Sequence, residues 1–103
     1  MLNFLLGLFG KGKPSIQELL KNGAIVVDVR TSGEYRSGHV KGSKNIPLQS
    51  LSGKVKKLKK KNKVIITCCA SGMRSGKAAR VLRQSGVDAY NGGSWQAVER
   101  ARK

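Results

Sequence analysis

Acidic residues are scarce. Only 5 of the 103 residues are Asp or Glu, against 21 Lys or Arg, so the chain carries a formal net charge of +16. A field of that sign attracts anions in general, whether small oxyanions, nucleic acid or acidic membrane. Aromatic residues make up 5% of the chain, and none is interleaved with the lysine run from Lys54 to Lys63. That omission argues against a stacking platform for nucleic acid, so no specific nucleic-acid partner is expected. Cysteine occurs twice, too seldom for a disulfide framework, and the two are adjacent, a spacing at which bridging distorts the peptide. Free thiols in a reducing, cytoplasmic compartment are the expectation. With one histidine, His39, a metal site lacks soft ligands, and neither metal nor cofactor is expected.

No long hydrophobic run is present. The longest, MLNFLLGLF, would rise about 14 Å as a helix, half of a bilayer's hydrocarbon core. It has no cation ahead of it and no A-x-A-like site behind it, which makes it a poor signal peptide. Three readings of residues 1–13 stand open: a segment packed on the domain, a weak membrane-surface anchor assisted by Lys11 and Lys13, or the remnant of a leader. Residues 14–103 are expected to form a single domain and a monomer.

Strands and helices alternate in that domain. Ser15 to Glu18 has a capping-box pattern ahead of Leu19 and Leu20, and Gly23 is placed to end the helix. Ala24 to Val29 is a β-branched run suited to a buried strand. Thr31 to Glu34 repeats the capping pattern, and Asn45-Ile46-Pro47 reads as a short extended piece. Leu48, Leu51, Val55 and Leu58 fall at helical spacing, so the seven lysines between Lys54 and Lys63 would coat the outer face of a packed helix. A strand from Lys63 to Cys68, a helix from Ser75 to Gln84 with Ala78, Val81 and Leu82 inward, and a strand from Val87 to Tyr90 follow. Ser94 can cap a last helix carrying Trp95 and Val98. The alternation predicts an α/β fold, a parallel sheet of four or five short strands with helices on both faces.

Chemistry is expected where the Lys63–Cys68 strand ends, in TCCASGMRSGK, Thr67 to Lys77. Sites in open α/β sheets form beyond the carboxyl ends of strands. A loop holding Ser71 and Gly72 can turn its N–H groups inward; the helix N-terminus adds partial positive charge and Arg74 a full one. A cysteine facing such a nest is a thiolate at neutral pH, open to solvent and needing no general base. The SGMRSGKA segment is no P-loop, because three rather than four residues separate its glycines and Ala78 stands where Ser or Thr would bind magnesium.

Two frames compete for the nucleophile. From Cys69 to Arg74 the pattern is C-x4-R; from Cys68 it is C-x5-R followed by Ser75. The two counts describe loops of different width, and therefore pockets that suit different anions.

VVDVRTSGEYRSGHVKGSKNIPL, then VIITCCASGMRSGKAARVL, then NGGSW, resembles the single-domain rhodanese family from about Ser15 onward. In that family the cysteine opening C-x4-R is catalytic, which implies Cys69 as nucleophile. Ala70, Ser71, Gly72, Met73, Arg74 and Ser75 are then the anion-binding loop. The implied activity is thiosulfate sulfurtransfer: a persulfide forms on Cys69, and cyanide or a thiol takes the sulfur. By the same resemblance Asp28 and Arg30 lie near the pocket and brace the active loop. Glu34 is expected at a helix terminus or in an ion pair, His39 in a structural role, and Trp95 in the core. Gly10 to Lys13 stands where the family opens with a short strand. Related phosphatases and arsenate reductases using Cys68 are the rival, although they carry histidine where Thr67 stands. A non-catalytic binding module is the third reading.

Overall fold

The computed structural model describes residues 13–103. The readings of the apolar start, and of a first strand near Gly10 to Lys13, fall almost wholly outside them.

Each capping box does what its sequence specifies. Ser15 accepts the Glu18 N–H at 3.0 Å and Glu18 accepts the Ser15 N–H at 2.8 Å, opening α1 (Ile16–Lys21). Thr31 and Glu34 repeat the exchange at α2 (Ser32–Arg36). Between them lies β1 (Ile25–Asp28), followed later by the two-residue β2 (Lys44–Asn45). The lysine-rich region is a 3-10 helix (Leu48–Lys54) running into α3 (Val55–Lys60), with Leu51 and Leu58 buried and the lysines around them exposed. Then come β3 (Ile65–Cys69), α4 (Met73–Gln84), β4 (Ala89–Ser94) and α5 (Trp95–Arg102).

The four strands of the described residues form one parallel sheet in the order β2-β1-β3-β4. From β1 the chain moves outward to β2 and then returns to β3 on β1's other side. The carboxyl ends of β1 and β3 therefore flank a topological switch point, where such sheets build their sites. Pleating assigns successive residues to opposite faces. Val27, Ile65 and Cys69 pack with Leu51, Leu58, Ala78, Ala79 and Leu82 beneath the 3-10 helix, α3 and α4. Val26, Ile66 and Cys68 pack with Leu19, Val40 and Val98 beneath α1 and α5. Each fully buried aliphatic side chain here contributes about 1.5–3 kcal/mol by leaving water.

Several boundaries differ from expectation, and three of them bear on the site. Strand β3 runs one residue further, so Cys69 is its last residue, and α4 begins at Met73 rather than Ser75. In α4 the buried stripe is Ser75, Ala78, Ala79 and Leu82, while Val81 is 37% exposed. Ala79 takes the inward place assigned to Val81 because it continues the stripe from Ser75 at helical spacing. Strand β4 reaches Ser94 instead of Tyr90, through a bulge. Thr67 pairs with Asn91 and Cys69 with Ser94, so two steps on β3 oppose three on β4.

Candidate active site

Cys69 ends β3, and the chain turns over it at once. Gly72, in the left-handed region at φ 101°, stands at the N-cap of α4 without a side-chain cap. A non-glycine residue is strained there. The turn aims amides at the sulfur: the Gly72 N–H donates to Cys69 Sγ at 3.0 Å and the Ser75 N–H at 3.4 Å, with Ser75 Oγ also 3.4 Å away. Burial pushes the Cys69 thiol up, but the Ser75 hydroxyl and the N–H groups of Ser75, Gly72 and Ser71 outweigh it. The result is a pKa lowered from 9.0 to about 7. Hydrogen bonds to the charged form favour it.

The other cysteine is the opposite case. Cys68 points to the far face of the sheet, where burial, and then the nearby Asp28 carboxylate, push its thiol up to about 12. A protonated thiol in an apolar cluster cannot serve a C-x5-R loop, so the Cys68 frame does not fit this geometry.

Bracing of the loop comes from β3 and β4. Ser75 Oγ donates to Asn91 Oδ1 at 2.7 Å, and Asn91 Nδ2 donates to the Gly72 carbonyl at 3.1 Å. The Gly93 N–H fixes Asn91 from the other side at 2.9 Å, and Thr67 Oγ1 donates to the Ser75 carbonyl at 2.8 Å. A Cβ on Gly92 would stand 2.7 Å from Val98 and 2.8 Å from Ile66, so only glycine fits beneath the bulge. Sequence reasoning assigned no role to Asn91, Gly92, Gly93 or Thr67. A Gly pair inside a strand is the signal that marks a bulge or a close approach.

Three expectations about the site require correction. Cys69 is fully buried rather than open to solvent, because as the last strand residue it points under α4 while the loop closes above it; Ala70 and Ser71 stay exposed. A reactant reaches the sulfur only if the loop yields. Arg74, expected to add a full positive charge to the nest, is instead neutralised by Glu34. Its two terminal nitrogens donate to the Glu34 carboxylate at 2.8 and 3.0 Å, and that contact, helped by the Thr31 N–H, holds Glu34 down at about 2. Glu34 thus both caps α2 and pairs with the loop.

Asp28 and Arg30 do not brace the Cys69 loop. Asp28 lies opposite Cys68 in register and shares its face of the sheet. Its carboxylate accepts from Arg30 Nε at 2.9 and 3.0 Å and from the terminal nitrogen at 2.7 Å, with Asp28 fully buried and Arg30 5% exposed. The guanidinium also donates to the Gly38 carbonyl at 2.6 Å and sits 5.1 Å from the Trp95 ring centroid. The pair therefore ties β1 to the turn after α2 and to α5. His39 stacks on Tyr35 at 3.7 Å, with Nδ1 2.7 Å from the Tyr35 carbonyl oxygen, in an exposed structural position.

Known proteins resemble this chain in sequence and fold. The family model described as the rhodanese-like domain matches residues 13–101. The protein YqhL of Bacillus subtilis (strain 168) is 36% identical over 69 residues, which cover 66% of this chain and 54% of YqhL. Thiosulfate sulfurtransferase PspE of Escherichia coli (strain K12) is 33% identical over 61 residues, 58% of this chain and 59% of that protein. The chain therefore spans between half and two thirds of these curated relatives. A rhodanese-related protein from Thermoplasma volcanium superposes with a TM-score of 0.70 at 32% identity, covering 84% of this chain and 90% of that one. A parallel sheet with a cysteine at its switch point, an amide-lined turn over the sulfur, and a family match across nearly the whole described domain lead to one assignment: the chain belongs to the rhodanese-like domain family.

Proposed function

We propose that the protein is a sulfurtransferase that carries sulfur as a persulfide on Cys69. One observation carries this reading: a thiol with a pKa of about 7 lies in a nest of Ser71, Gly72 and Ser75 N–H groups, while its neighbour Cys68 is held protonated on the other face. A thiol lowered in this way is partly ionised at neutral pH, and the thiolate is the nucleophile.

With thiosulfate as donor, the Cys69 thiolate attacks the outer sulfur. The S–S bond to the sulfonate breaks, its electrons leave with sulfite, and Cys69–S–S⁻ remains. Cyanide then attacks the outer sulfur, thiocyanate departs and the thiolate is restored; a cellular thiol yields its own persulfide instead. The loop amides hold negative charge throughout, and no general base is required. Covering the sulfur keeps water from the persulfide, while the loop must yield to admit a donor. The domain would work as a monomer without cofactor, in a reducing cytoplasmic compartment that keeps Cys69 free.

The paired assay is thiosulfate–cyanide turnover against aryl-phosphate hydrolysis, run on wild type, Cys69→Ser and Cys68→Ser. Turnover lost only in Cys69→Ser, with negligible phosphatase activity, is expected. Hydrolysis that depends on Cys68 would overturn the reading in favour of the wider frame.

A further inference from the structure

The charge at the rim of the site points to a class of donor. Arg74 is the one cation between Cys69 and Ser75, and both of its terminal nitrogens are committed to Glu34. Glu34 cannot readily turn away, since its Oε1 also accepts the Thr31 N–H at 3.0 Å and the Thr31 hydroxyl at 3.1 Å. The fork is complete, and its net charge is zero. Both side chains are 37% exposed, which places the pair within reach of an incoming donor. The amides of the turn are already directed at the sulfur. Lys77, one turn along α4, is exposed and contributes field rather than a fixed contact. Met73, next to Arg74 in the chain and the first residue of α4, offers an apolar side chain that is 77% exposed.

Thiosulfate carries two negative charges, shared between its outer sulfur and its sulfonate oxygens, and the sulfonate would have to break the Arg74–Glu34 fork to find a partner there. A donor in which an organic group replaces one charged oxygen, or the whole sulfonate, does not need that cation and can rest on Met73. We infer that Glu34 sets donor specificity: by holding Arg74, it fits the site to an organic carrier of sulfane sulfur with at most one negative charge, of the R–S–SH or R–SO₂–S⁻ type, ahead of thiosulfate. This rests on the sulfurtransferase reading above. With R–S–SH the Cys69 thiolate takes the outer sulfur, the S–S bond breaks, Cys69–S–SH forms and R–S⁻ leaves. With R–SO₂–S⁻ the products are Cys69–S–S⁻ and the sulfinate R–SO₂⁻. Neither step needs an oxidant or a reductant.

The experiment compares thiosulfate with methanethiosulfonate, in which one charged oxygen is replaced by a methyl group. The catalytic efficiencies of the full chain, wild type and Glu34→Gln, are measured for each donor with cyanide as acceptor. Gln can still close the capping box with Thr31, so the variant removes charge and spares the helix start. Wild type should favour methanethiosulfonate. In Glu34→Gln the thiosulfate-to-methanethiosulfonate efficiency ratio should rise about three- to tenfold, the range open to a partly exposed charge. Arg74→Gln leaves the cap untouched and exposes the Glu34 charge, so it should move the ratio the other way by a similar factor. A ratio that stays put in both variants, or moves in the opposite senses, overturns the inference. Absence of any 32 Da gain on Cys69 with either donor would instead overturn the sulfurtransferase reading itself.

Discussion

Cys68 and Cys69 share a peptide bond and face opposite sides of one sheet. Cys68 meets Val26, Ile66 and Val98, with the Asp28 carboxylate nearby, and its thiol is pushed up to about 12. Cys69 meets three N–H groups and a hydroxyl, and its thiol comes down to about 7. Strand alternation alone separates an inert thiol from a nucleophile.

The pH dependence of alkylation should follow from that contrast. Iodoacetamide modification of Cys69 should rise through pH 7 and level off about one to two units above, while Cys68 stays unmodified in the folded protein. Because the folded thiol is more acidic than its ordinary 9.0, ionisation adds stability that is complete above pH 9 and is lost as pH falls through 7. A rate that climbs only near pH 9 would contradict the assigned environment.

The Ser75 hydroxyl has one proton to share between Asn91 Oδ1 at 2.7 Å and Cys69 Sγ at 3.4 Å, and when turned to the sulfur it supplies the leading contribution to that acidity. Ser75→Ala should move the Cys69 pKa back up toward the ordinary thiol range. Thiosulfate loading at pH 7 should slow about three- to tenfold, and the deficit should shrink as pH rises, because a unit of pKa is about 1.4 kcal/mol. A loss of the same size at every pH would show that the hydroxyl acts by positioning alone.

Asp28 and Arg30 should matter to folding rather than to sulfur chemistry. Removing the carboxylate in Asp28→Ala strands a buried guanidinium and should cost about 3–5 kcal/mol in urea unfolding. The alkylation pKa of Cys69 in the protein that remains folded should stay where it is. A cost below about 1 kcal/mol, or a displaced pKa, would restore the role in the active loop that the resemblance implied.

Elements with side-chain punctuation were legible in the sequence. Both capping boxes, the Ser94 cap and the lysine-coated helical stretch appear where their residues require. The start of α4 was misplaced because Gly72 caps it through a left-handed backbone, which leaves no side-chain mark. The end of β3 was misplaced because either cysteine can be buried, and only the register with β4 shows that Cys69 still pairs. The nucleophile's loop could be read from spacing, but its covering could not. Nor could the choice of Glu34 as partner of Arg74, 40 residues away, or the bracing by Asn91, since both depend on tertiary contacts.

The most direct measurement is intact mass after incubation with a sulfane donor. Wild type and Cys68→Ser should each gain about 32 Da, one sulfur atom, and lose it on adding cyanide, while Cys69→Ser gains nothing. Labelling that survives in Cys69→Ser and vanishes in Cys68→Ser would contradict the account at its centre.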